Sequence, residues 1–151
     1  MNEYKRILVV SRMIQSSQKA IQVGVSLAQK FGAELFVIHS IFNPFGLSGW
    51  SMGHLSLEKE YEKILLDARE GLSDLVEAEK TKGMSIKEVV REGEPTEEIL
   101  RTIKEEKIDL LVMLAHEEGH IEDLFFNRSN NELARKMPCS ILLVKKEPGK
   151  G

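Results

Sequence analysis

The segment His116-Glu117-Glu118-Gly119-His120 carries two imidazoles four residues apart, with a carboxylate beside the first. This is the H-E-x-x-H spelling of zinc hydrolases. That chemistry needs both histidines on one helix face, one turn apart, with the glutamate beside the metal-bound water. Here the segment directly follows a continuous apolar run, and Gly119 weakens a helix at the turn that would hold the second imidazole. The segment reads as a polar loop, with a metal-dependent hydrolase built on His116, Glu117 and His120 as the minor alternative. Cys139, the only cysteine, follows Pro138 and enters an apolar run, where cysteine serves as a small hydrophobe rather than a nucleophile. His39 interrupts the end of another apolar run beside Ser40. It reads as a hydrogen-bonded histidine at a strand end, with a contact in a ligand crevice as the alternative. No constellation of acid, base and nucleophile emerges, so neither enzymatic activity nor a cofactor or metal is expected.

Composition bounds the remaining choices. The chain has 151 residues, about one domain's length, with 42% hydrophobic and 30% charged residues. The longest unbroken apolar runs, such as Leu110 to Ala115, fall far short of the ~20 residues of a membrane span. No signal-like apolar stretch precedes the first strand-like run, and one cysteine cannot form an internal disulfide, so a cytoplasmic location is expected. A net charge of −3 gives no broad attraction for nucleic acid. Asn127-Arg128-Ser129 spells a glycosylation sequon, which is silent without secretion.

The elements that would position these residues follow from apolar periodicity. Ile7 to Val10 and Asp109 to Leu114 are near-continuous apolar runs, the mark of central parallel strands buried on both faces. Glu34 to Ser40 and Ser140 to Val144 read as further strands, and Ser85 to Glu92 as an alternating one. Between them lie helical patterns. The first starts at a cap on Ser16 or Ser17, carries Ala20, Ile21, Gly24, Leu27, Ala28 and Phe31, and stops at Gly32. The second runs from about Ser56 to Lys82 on a stripe of Leu57, Tyr61, Ile64, Leu65, Ala68, Leu72, Leu75 and Val76. The third begins with Pro95 at its first position and continues to about Glu106. The fourth starts at the capping-box pattern Ser129-Asn130-Asn131-Glu132 and ends at Pro138. Five strands and four helices in alternation make an open parallel α/β sheet with right-handed crossovers and helices on both faces. One domain over residues 1–147 and a tail over 148–151 are expected.

Ligands of such sheets bind at the carboxyl ends of the strands. A phosphate site there needs glycines, so that backbone N–H groups approach the anion. The loop after the fourth strand offers Gly119 alone, among Glu117, Glu118, Glu122 and Asp123. The segment from Ile41 to Leu55 holds Asn43-Pro44, Gly46, Gly49 and Gly53 together with Phe42, Phe45, Leu47, Trp50 and Met52. It reads as an apolar loop tucked against the body or a partner, or else as a ligand cover.

Taken together, these pieces resemble the universal stress proteins. Tyr4-Lys5-Arg6-Ile7-Leu8-Val9 looks like the family's first strand, and Ala28 to Leu35 with Val37-Ile38-His39 like its first helix end and second strand. Arg91-Glu92-Gly93-Glu94-Pro95, Asp109 to Met113 and Pro138 to Val144 are similar to its later turn and strands. The resemblance implies a Rossmann-like sheet of order 3-2-1-4-5 and a homodimer, which we place on the last strand, Ser140–Val144. The family's nucleotide-binding branch uses an aspartate after the first strand, where this chain has Arg12. It also uses Gly-x-x-Gly, nine residues, then Gly-Ser or Gly-Thr, where this chain has Leu114, Glu117, Asn127 and Arg128. The resemblance therefore implies the branch that does not bind ATP: a stress-response interaction module with a protein client. The alternative is a sensor of nucleotides or other anions in a degenerate crevice, with Arg12, His116, His120 and Arg128 replacing the glycine cradle and Ser40, Leu114, Glu117 and Asn127 as further candidate positions.

Overall fold

The computed structural model describes residues 4–11, 17–41, 82–92, 94–115 and 121–145, with residues 59, 63, 66, 70, 73, 74 and 76–80 between them. Its elements are β1 (Arg6–Ser11), α1 (Ser17–Phe31), β2 (Glu34–Ile41), β3 (Ile86–Glu92), α2 (Pro95–Glu106), β4 (Leu110–Leu114), α3 (Ile121–Lys136) and β5 (Ser140–Val144). The sheet is parallel in all its pairings and has the order β3-β2-β1-β4-β5. The continuous apolar runs lie where burial on both faces demands them: β1 pairs with β2 and β4, and Ile7 to Val9 and Leu111 to Met113 are 0% exposed. The described residues within 59–80 are helical. Lys59, Lys63, Leu66, Glu70 and Asp74 are exposed and Val76 is buried, as the expected stripe requires; its other residues lie outside the described ones.

Strand alternation divides the core into two layers. Ile7, Val9, Leu35, Val37, Ile86, Leu110 and Val112 pack with Ala20, Ile21, Val25 and Ala28 of α1 and with Val76. Leu8, Val10, Phe36, Ile38, Leu111 and Met113 pack with Ile99 and Ile103 of α2 and Leu133 of α3. α1 comes close to the sheet at Gly24, which faces Val9 and Leu35. It ends at Gly32, whose φ of 66° is the left-handed stop read from the sequence. α2 opens with Pro95 after Glu94, whose carboxylate accepts the Glu97 N–H at 2.8 Å.

Strand ends otherwise shift by a single residue, and two departures from the sequence reading have tertiary reasons. Asp109 lies just before β4, because its carboxylate accepts the Lys5 and Arg6 N–H groups at 2.8 and 3.1 Å and stitches β1 to β4. The Ser129–Glu132 pattern does not start a helix: α3 begins at Ile121, so part of the expected loop is helical and the pattern is interior. Its polar side chains have distant partners. Ser129 Oγ accepts from Thr96 Oγ1 at 2.9 Å, and Asn130 Nδ2 donates to Leu114 O at 2.9 Å. The cap expected at Ser16 and the segment 42–55 lie outside the described residues.

Candidate functional site

β1, β2 and β4 deliver Ser11, Ile41 and Leu114 to one end of the sheet, the carboxyl end where ligands of open α/β sheets bind. Of the candidate positions, Arg12, His116, Glu117 and His120 lie outside the described residues, so the H-E-x-x-H segment is not placed. Among the described residues, no group of three or more His, Cys, Asp or Glu side chains could hold a metal ion. Ser40 lies on β2, in register with Arg91 of β3. Leu114 closes β4 with its side chain buried, and its carbonyl oxygen is taken by the Asn130 amide. Asn127 and Arg128 lie within α3 rather than on a loop, and Arg128 is exposed.

The structure adds a file of polar groups that sequence spacing does not reveal. Ser11 and His39 are register partners at the ends of β1 and β2, and are 0% and 1% exposed. The His39 Nε2–H donates to Glu88 Oε2 at 2.9 Å, and Lys80 Nζ lies 3.4 Å from the other Glu88 oxygen. Serine, histidine and glutamate on neighbouring strands have the residue types of a nucleophilic triad. The arrangement is not one: Ser11 Oγ makes no hydrogen bond among the described residues, and its full burial denies access to a substrate. Glu88 lies 49 residues from His39 in the chain, so only the β2–β3 register reveals the pair.

Cys139 is half-buried, and burial together with the nearby Asp109 charge pushes its thiol up to about 11, against a lesser opposing hydrogen bond from the Leu111 backbone. At neutral pH it is protonated and a poor nucleophile, in keeping with its reading as a small hydrophobe. A cleft of about 410 Å³ lies at the opposite, amino end of the strands, lined by Ala28, Gln29, Gly32, Leu35, Met84 and Ser85 among others. The charged residues on its rim are engaged elsewhere: Glu34 lies 3.9 Å from Arg6, and the Lys87 ammonium sits 5.4 Å over the Phe36 ring. Among the described residues no helix is long and apolar enough to cross a membrane.

Comparison with known proteins agrees with this architecture. Universal stress protein MJ0531 of Methanocaldococcus jannaschii is 26% identical over 147 residues, covering 96% of this chain and 84% of its own. The solved structure of hypothetical protein MJ0577 superposes with a TM-score of 0.74 at 18% identity, over 97% of this chain and 99% of its own. A universal stress protein from Archaeoglobus fulgidus, solved in complex with dAMP, superposes with a TM-score of 0.61 at 17% identity, over 96% and 100% of the two chains. Likeness at such identities establishes the fold. The universal stress protein family model matches residues 3–145, nearly the whole chain, and the chain therefore belongs to the universal stress protein family.

Proposed function

We propose that this protein is a dimeric, non-catalytic interaction module of the cytoplasmic stress response, which meets a protein client and does not hold ATP by the glycine cradle of the family's nucleotide-binding branch. The observation that carries this reading is the end of β4. The first glycine position of the cradle is Leu114, whose side chain is 2% exposed and whose carbonyl is bonded to Asn130. Backbone there is covered by a side chain and tied to α3, whereas a phosphate cradle needs bare, open backbone. The later positions, Asn127 and Arg128, are part of a regular helix. The relative that carries dAMP makes nucleotide binding the reading to test against.

The dimer half of the proposal draws on β5. Among the described residues this edge strand pairs with β4 alone, and Leu142 and Leu143, on its opposite faces, are 37% and 52% exposed. An apolar edge open on both faces suits continuation of the sheet into a second copy across a two-fold axis. The deciding experiment is a melting curve with millimolar ATP and magnesium. A ligand present at 100 times its Kd adds about 2.7 kcal/mol, or roughly 5–10 °C in Tm for a domain of this size. No upward shift is expected, and a shift of that size overturns the reading.

A further inference from the structure

The cleft of about 410 Å³ lies at the amino end of the strands, away from the carboxyl end where ligands of open α/β sheets bind. Small-molecule pockets span about 300–1,000 Å³, so its size suits a small occupant. Its lining changes character from one side to the other. Ala28 and Leu35, each 1% exposed, and the half-buried Met84 form an apolar floor on the face of the sheet that α1 covers. Glu34 directly precedes Leu35, and Lys87 is in register with Phe36, so alternation carries both to the other face. The cleft therefore rounds the start of β2 and β3, apolar on one side and charged on the other.

Among the described residues, the charged lining is Glu34 and Lys87, one of each sign. Each is steadied by a neighbour that leaves its hydrogen-bonding capacity unspent. Glu34 Oε2 lies 3.9 Å from Arg6 Nη2, between side chains 54% and 37% exposed, too far for a hydrogen bond. The Lys87 ammonium sits 5.4 Å over the Phe36 ring, which attracts its charge and leaves its N–H groups to other acceptors. The exposed Ser85 adds a hydroxyl at the start of β3. Gln29 and the carboxyl end of α1, which leads through Gly32 and Ala33 to Glu34, add carbonyl acceptors. A lone cation meets Lys87 and a lone anion meets Glu34, so each is disfavoured by one of the two. A zwitterion satisfies both, and the floor takes an apolar group.

We propose that this cleft binds a free α-amino acid with an aliphatic side chain. Its ammonium rests on Glu34 and the carboxyl end of α1, its carboxylate on Lys87 and Ser85, and its side chain on Ala28, Leu35 and Met84. The site shares no residue with the β4 end or the β5 edge, so it goes beyond the interaction-module reading and does not depend on it.

The test titrates the ¹⁵N-labelled full chain separately with L-leucine, L-isoleucine and L-valine. Saturable shifts of the Gly32, Ala33, Met84 and Ser85 amides are expected from at least one. Analogues of the strongest binder that lack the ammonium or the carboxylate (isocaproate and isoamylamine for leucine) bind about tenfold more weakly, the size of one charge-assisted hydrogen bond. Glycine, without the apolar group, is weaker by about tenfold or more. Glu34→Gln and Lys87→Met, both at exposed positions, each weaken the amino acid by about tenfold, with melting curves confirming that the variants are folded. Absence of saturable shifts at these amides with all three amino acids overturns the proposal. So does either analogue, or glycine, binding as tightly as the amino acid, and so does an undiminished response in both variants.

Discussion

Gly24→Ala sets two effects of similar size against each other. Within a helix, alanine is favoured over glycine by about 1 kcal/mol. Against this, a Cβ on Gly24 would overlap Val9 Cγ2 and stand 3.3 Å from Leu35 Cδ1. Neither neighbour has room to yield: Val9 is 0% and Leu35 1% exposed, and Val9 is held in the central strand between Val37 and Val112. Valine has few alternative rotamers, so α1 itself must lift from the sheet. Overpacking of this kind costs about 1–3 kcal/mol, and the directness of the overlap puts it in the upper half of that range. The net expectation is a loss of about 1–2 kcal/mol, read as a drop of roughly 2–8 °C in Tm, or in urea as a lower midpoint at constant slope. A double-mutant cycle isolates the cause. Val9→Ala alone opens a cavity, and the methyl group of alanine at position 24 partly fills it, so the two changes together cost less than their sum by about 1 kcal/mol or more. Gly24→Ala that stabilises by the helix-propensity increment, or strict additivity in the cycle, refutes the reasoning.

Three further outcomes are expected. The Cys139 thiol titrates at about 11 in the folded chain against 9.0 for an ordinary cysteine, so the unfolded state releases its proton first; the thiol's contribution is intact below pH 9.0 and is lost as pH rises towards 11. Iodoacetamide should therefore modify native Cys139 up to ~100-fold more slowly than the denatured chain near neutral pH, and Cys139→Ala should flatten the alkaline loss of stability; equal alkylation rates would refute the assignment. Asp109→Ala removes the acceptor of two backbone N–H groups and should cost about 1–2 kcal/mol in urea melts, the exposure of Lys5 letting water replace part of the loss, while Asp109→Asn lowers the Cys139 pKa and speeds its alkylation. The Val144 carbonyl faces β4, so the Leu143 N–H faces the open edge of β5. Leu143→Pro removes that edge donor, and Leu143→Glu places a charge on an edge already half exposed; sedimentation should show a dimer in the wild type and monomer or aggregate in the variants, whereas a monomeric wild type or unchanged dimers in both variants would exclude this interface.

Much of the fold was legible because its signals are local. Ile7 to Val10 and Leu110 to Leu114 are apolar without interruption since both faces of a central strand are covered, and that demand is written into consecutive residues. Pro95 and Gly32 mark helix ends because a fixed φ and a left-handed φ are properties of single residues. The order of the strands came from family resemblance, not from spacing. What tertiary structure alone decided involves partners far apart in the chain. Ser129 and Asn130 have the chemistry of a helix cap, yet they sit inside α3 because Thr96 and the Leu114 carbonyl take up their polar atoms. The pairing of His39 with Glu88, and the burial of Ser11 beside it, follow from the registers of β2 with β3 and of β1 with β2. Residue types and spacing along one strand carry no record of such registers, because hydrogen-bonded ladders are set by packing of whole layers rather than by neighbours in sequence.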